Sequence, residues 1–127
     1  LGLDSKRLTL LIALLEKFGG IEIGVNDVFV SVVGGLKISD PATDLALAVS
    51  LAGNHLNKSL EPDWIVLGEL GLNGDVRQVQ QMETRIREAK RLGFNHAIIP
   101  QTNKTLKIPG MELHPVARLE KALDWLE

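Results

Sequence analysis

Cysteine is absent from the 127 residues. That removes disulfides, thiolate metal sites and thiol nucleophiles together, and it fits a reducing, cytoplasmic setting. Charge of one sign is lacking too. Lys and Arg number 14 against 16 Asp and Glu, a formal balance of -2, so the overall charge draws the chain neither to nucleic acid nor to an anionic bilayer, and any DNA contact has to come from a local patch. Long apolar runs are missing: Leu8 to Leu15 and Leu45 to Val49 fall far short of the ~20 residues of a membrane span, and no basic leader with a small-residue cleavage site precedes them. No G-x-x-x-x-G-K-[ST] phosphate loop occurs, and Gly19-Gly20 and Gly34-Gly35 lack the spacing of a dinucleotide fingerprint, so the segment has no motif for ATP of its own. His55, His96 and His114 are expected to lie far apart on different elements, outside any H-E-x-x-H arrangement, and no metal site is expected.

What is present is a 45% hydrophobic composition, ordinary for a globular domain. The expectation is one domain over residues 1–127, able to bury about two-thirds of the surface its unfolded form exposes. No repeat, low-complexity tract or linker divides it. The chain opens at Leu1 rather than Met, with Asp4 and Ser5 ready to begin a helix, which reads as an excised piece of a larger protein.

A helix is expected from Asp4 or Ser5 to Phe18, stopped by Gly19-Gly20. Its apolar residues are too continuous for one stripe, so it is either a central helix or one with a second surface for a neighbour. Val28 to Val33 reads as a strand. Asp40-Pro41 opens a largely apolar helix reaching about Asn57, because the carboxylate can accept free first-turn amides and proline tolerates the first helical position. Trp64 to Leu67 is a short strand, and Asn73-Gly74 favours a hairpin turn, with Val76 and Val79 continuing the sheet. Met82, Ile86 and Ala89 make the narrow apolar face of a helix over Gln80 to Leu92, closed by Gly93. His96 to Ile99 is a strand, Leu106 to Leu113 a loop or weak strand broken at Pro109-Gly110, and Val116 to Leu126 a closing helix. The order is mixed α and β.

Arg77, Arg85, Arg87, Lys90 and Arg91 place five cations within fifteen residues, the local surplus that phosphate contacts need. Glu83 and Arg87 are i, i+4 neighbours, so a solvated helix face accounts for part of it. Lys6, Arg7, Lys104 and Lys107 could extend the patch. Glu69, between glycines, has a carboxylate able to accept backbone amides or to act as a base.

Val28 to Val33, then Asp40-Pro41-Ala42-Thr43-Asp44 opening an apolar helix, then Leu67-Gly68-Glu69-Leu70-Gly71-Leu72-Asn73-Gly74-Asp75-Val76 resemble the proteolytic domain of Lon proteases. That family's helix opens with G-P-S-A-G, whose serine attacks, and a later G-G-[LIV]-K-E-K supplies a lysine base. Here Ala42 falls on the serine position and Glu83 on the lysine position. A methyl group cannot attack, and a carboxylate has the wrong charge to replace the amine. Near end-to-end likeness, from Leu3-Asp4-Ser5-Lys6-Arg7-Leu8 through Ala42-Thr43-Asp44-Leu45-Ala46 to Gly68-Glu69-Leu70-Gly71-Leu72, identifies the chain as similar to the C-terminal Lon-like domain of the RadA (Sms) family of bacterial DNA repair proteins. The resemblance implies an α+β fold, a Lon-like mixed sheet with packed helices, and a non-catalytic scaffold that supports a hexameric ring and DNA binding during branch migration. It also implies ATP, Mg and Zn elsewhere in a longer DNA-dependent ATPase, and a RecA-type recombinase as partner. Two alternatives stand beside it. One is an active peptidase in which Ser31, Ser39 or Thr43 meets Lys37 or Lys90; the other is a protein-binding module without DNA contact.

Overall fold

The computed structural model describes residues 5–22 and 40–127. Helix α1 (Ser5–Phe18) is followed, after residues 23–39, by a 3-10 turn (Pro41–Thr43) that runs into α2 (Asp44–Leu56). Then come β1 (Trp64–Val66), a hairpin of β2 (Glu69–Leu70) and β3 (Val76–Arg77), helix α3 (Met82–Arg91), β4 (His96–Pro100), β5 (Glu112–Val116) and α4 (Leu119–Leu123). The fold is α+β. Strands β1, β4 and β5 form a parallel sheet in that spatial order, with Trp64 beside His96 and Ile98 beside His114. Strands β2 and β3 pair antiparallel, Leu70 opposite Val76.

Central strand β4 sorts the core into two faces because its side chains alternate. Ile98 joins Leu11, Leu15, Leu45, Val49 and Leu119 from α1, α2 and α4, whereas Ala97 and Ile99 join Ile86, Met82 and Ala89 of α3 with Ile108 and Met111. The sheet is therefore covered by three helices on one face and by α3 on the other. Helix α2 starts where the chemistry requires: the Asp40 carboxylate accepts the Ala42 amide at 3.0 Å and Pro41 takes the first position. It ends at Asn57 in a left-handed conformation, which asparagine tolerates.

Most of the apolar length of α1 is consumed internally. Leu11, Ile12, Leu14 and Leu15 are buried and Leu10 is the large apolar side chain it leaves exposed, so the expectation of a second apolar surface gives way to the central-helix alternative. The closing helix is shorter than expected. Val116 belongs to β5, paired with Pro100, and the Ala117 carbonyl accepts the Val76 amide at 2.9 Å, which holds the backbone extended until Leu119. Pro115 sits within β5 because β5 is an edge of the three-stranded sheet, where a missing amide breaks no ladder. The expected strand Val28 to Val33, with Gly34-Gly35, lies outside the described residues. No helix among the described residues is long and apolar enough to cross a membrane.

Candidate functional site

Ala42 is buried in the 3-10 turn at the head of α2, where its carbonyl accepts the Gly68 amide at 3.0 Å. Glu83, in the first turn of α3, is exposed and pairs with Arg87 at 3.1 Å. The two neighbourhoods are tied together, since Arg85 on α3 binds the Asp40 carboxylate at 2.9 Å. The Ala42 amide and then Arg85 hold the Asp40 carboxyl below its ordinary range. Glu83 also borders a cleft of about 310 Å³ with Val79, Thr84, Thr102, Lys104 and Leu106. The Thr43 hydroxyl donates to the Asp40 carbonyl at 2.7 Å, and the Lys90 ammonium to Asn95 Oδ1 at 2.8 Å. Ser31, Lys37 and Ser39 lie outside the described residues. Glu69 stands on β2 opposite Arg77.

The cations proposed for DNA divide by position. Successive helical residues turn by about 100°, so Arg87 and Arg91 project together on the side of α3 opposite Met82, Ile86 and Ala89, while Arg85 and Lys90 flank that buried stripe from either edge. Arg77 stands apart on β3, paired with Asp75 at 3.0 Å. Arg91 bonds Glu88 through Nε at 3.1 Å. The guanidinium groups thus carry internal carboxylate partners, although the helix has four cations for two carboxylates. The loop bearing Lys104 and Lys107 lies against this helix, with the Lys107 carbonyl 3.4 Å from Arg87 Nη2. Arg7 does not extend the patch. It turns inward to pair with Asp44, whose side chain is 4% exposed and whose second oxygen accepts the Leu70 amide at 3.1 Å.

The structure corrects the expectation for the histidines. His96 and His114 open and centre neighbouring parallel strands, and His96 Nδ1 lies 3.1 Å from His114 Nε2. Glu112 Oε2 approaches His96 Nδ1 at 3.4 Å. Trp64 stacks on both imidazoles, at centroid distances of 4.5 and 4.6 Å, and Trp125 leans on His114 at 4.4 Å. His114 is held below its ordinary pKa by burial and by His96, against the opposing pull of Glu112. His55 sits apart in the last turn of α2. Sequence separation hid the pair because the connection between β4 and β5 returns the chain to the same end of the sheet. The legible signal was the i, i+2 spacing of Glu112 and His114, which shares one face only if residues 112–116 are read as a strand.

Four similarities with known proteins bear on this geometry. Residues 8–103 match the family described as Subunit ChlI of Mg-chelatase. The chain is 40% identical over 98% of its length to a DNA repair protein RadA of Aquifex aeolicus, 44% over 99% to one of Pseudomonas aeruginosa and 41% over 96% to one of Escherichia coli. It spans only 28%, 28% and 27% of those relatives.

Proposed function

We propose that this chain, which belongs to the family described as Subunit ChlI of Mg-chelatase, is a non-catalytic, Lon-like scaffold domain of a RadA-type DNA repair protein, supporting ring assembly and DNA engagement. The carrying observation is the pair of side chains at the Lon-type dyad positions: a methyl group buried at Ala42 and a carboxylate at Glu83 already bonded to Arg87. Neither provides the hydroxyl or the amine that acyl transfer by a Ser-Lys pair needs. The relatives named DNA repair protein RadA support the repair role.

ATP and magnesium belong, on this reading, to other parts of a longer protein. A helix start can receive phosphate, but the head of α2 is occupied by the Asp40 and Asp44 carboxylates, which repel an anion. A cysteine-based zinc segment likewise has no ligands here. Subunits of the longer chain associate head to tail into a closed, hexameric ring, and the α3 faces repeat around it, so that a weak patch becomes multivalent toward DNA. A RecA-type recombinase is the protein partner on this reading, and the setting is cytoplasmic.

Size-exclusion chromatography with light scattering on the full-length protein, with and without these residues, tests the scaffold role. Loss of the ring on deletion is expected, and an unchanged ring overturns it. Casein and fluorescent-peptide hydrolysis by the wild type and Thr43→Ala tests the absence of peptidase chemistry. Turnover abolished by Thr43→Ala would overturn that part.

A further inference from the structure

We propose that His96, Glu112 and His114 form a binding site for one divalent transition-metal ion, of the zinc, copper or nickel class. The three side chains come from the start of β4 and the first half of β5, and their ligating atoms all lie within 4.8 Å of one another. Two ligands held ~2.0–2.1 Å from a tetrahedral ion stand ~3.3 Å apart. His96 Nδ1 is 3.1 Å from His114 Nε2 and 3.4 Å from Glu112 Oε2. These two distances match the spacing that an ion would impose, and all three atoms lie within 4.8 Å of one another, so little backbone movement is required.

The ring orientations are compatible with this. The two imidazole planes differ by 11°, so the lone pairs of His96 Nδ1 and His114 Nε2 lie near one common plane, where a single ion can meet both. Each ring face rests against Trp64, whose indole is within 8° of parallel to both. The stack restricts tilting out of plane, which is the motion that would scatter the ligands. Glu112 is 71% exposed, free to swing onto an ion and to leave a fourth position open to water or to a ligand from elsewhere. Two imidazoles with one carboxylate select borderline, nitrogen-preferring ions; magnesium and calcium favour oxygen ligands. The site is independent of the scaffold reading and of the Lon-like dyad positions.

The test is titration of the full-length protein with Zn²⁺ by calorimetry and with Cu²⁺ by tryptophan fluorescence, in the wild type, His114→Gln and Glu112→Gln. The indole stacked on both ligands makes saturable quenching by Cu²⁺ the expected local signal. The wild type is expected to take up one Zn²⁺ per chain more than His114→Gln, and Glu112→Gln, which alters only an exposed side chain, to weaken binding by at least ~10-fold. Equal stoichiometry in wild type and His114→Gln, quenching that does not saturate, or equal uptake of Mg²⁺ at this site would overturn the proposal. Should His114→Gln fail to fold, unweakened binding in Glu112→Gln would overturn the three-ligand assignment.

Discussion

Among the described residues, Asp44 is the buried charged side chain, and three elements converge on it: Arg7 from α1, its own place at the head of α2 and the Leu70 amide of β2. A carboxylate in that position is tolerable only while its counter-charge and hydrogen bonds are present. Arg7→Leu is expected to destabilise the fold toward the lower end of the ~3–5 kcal/mol seen when a buried pair loses one partner, because the Arg7 side chain keeps 28% of its exposure. Urea denaturation measures this. Adding Asp44→Asn to Arg7→Leu should recover part of the loss by removing the stranded charge, and no recovery would show that Arg7 acts through packing alone. Glycine offers a second residue-scale contrast. Gly20 and Gly74 both have left-handed backbones, φ +68° and +80°, but a methyl at Gly20 meets nothing within 4 Å while one at Gly74 would lie 2.7 Å from the Phe18 ring. Gly20→Ala should cost only the backbone strain of ~1–2 kcal/mol, and Gly74→Ala a further ~1–3 kcal/mol of overpacking. Equal midpoints for the two variants in thermal melts would refute the steric part.

At the scale of elements, the head of α2 links a cap to a tertiary contact, since Asp40 binds both the Ala42 amide and Arg85 of α3. Asp40→Asn keeps an acceptor for the amide and loses the charge; Asp40→Ala loses both and should cost about 1 kcal/mol. The folded carboxyl titrates below its ordinary value, so its stabilisation is complete above the unfolded pKa of ~4 and disappears as pH falls through the lower folded value. The gap between wild type and Asp40→Asn, measured by urea midpoints, should therefore be constant near neutrality and close on acidification below about pH 4. A gap independent of pH would remove the charge from the account. This helix start was legible because Asp-Pro followed by an apolar run has a local mechanism, and α3 was legible because Met82, Ile86 and Ala89 repeat at helical spacing and are buried. Strand β5 was not. Glu112, Leu113, His114, Pro115 and Val116 show no regular alternation of exposure to water, with Glu112 and Pro115 exposed, Leu113 and His114 half-buried and only Val116 buried, and a proline argues against an interior strand. Missing β5 also concealed the His96–His114 contact, which exists only through the pairing of β4 with β5.

For the whole molecule, the balance of -2 means that DNA affinity would rest on how charge is distributed, and α3 concentrates it. Arg87 and Arg91 project on one side of the helix, but they are bonded to Glu83 and Glu88, so a phosphate has to compete with carboxylates already in place. Exposed pairs of this kind hold each other only weakly because water screens them, whereas each phosphate contact releases counterions and steepens the dependence of binding on salt. The exchange therefore favours DNA at low ionic strength and weakens quickly as salt rises. Two opposite variants follow from the same geometry. Arg87→Glu with Arg91→Glu should lower duplex affinity of the full-length protein and reduce the slope of log K against log salt by roughly 1 for each cation that meets a phosphate. Glu83→Gln with Glu88→Gln should raise affinity, because the same guanidinium groups are released from their internal partners without new contacts being built. Fluorescence anisotropy across a salt series reads both. If the first pair leaves affinity and slope unaltered, α3 is not the DNA-facing surface; if the second lowers affinity, the carboxylates hold the arginines in a binding-competent arrangement, and competition between carboxylate and phosphate is the wrong description of this helix.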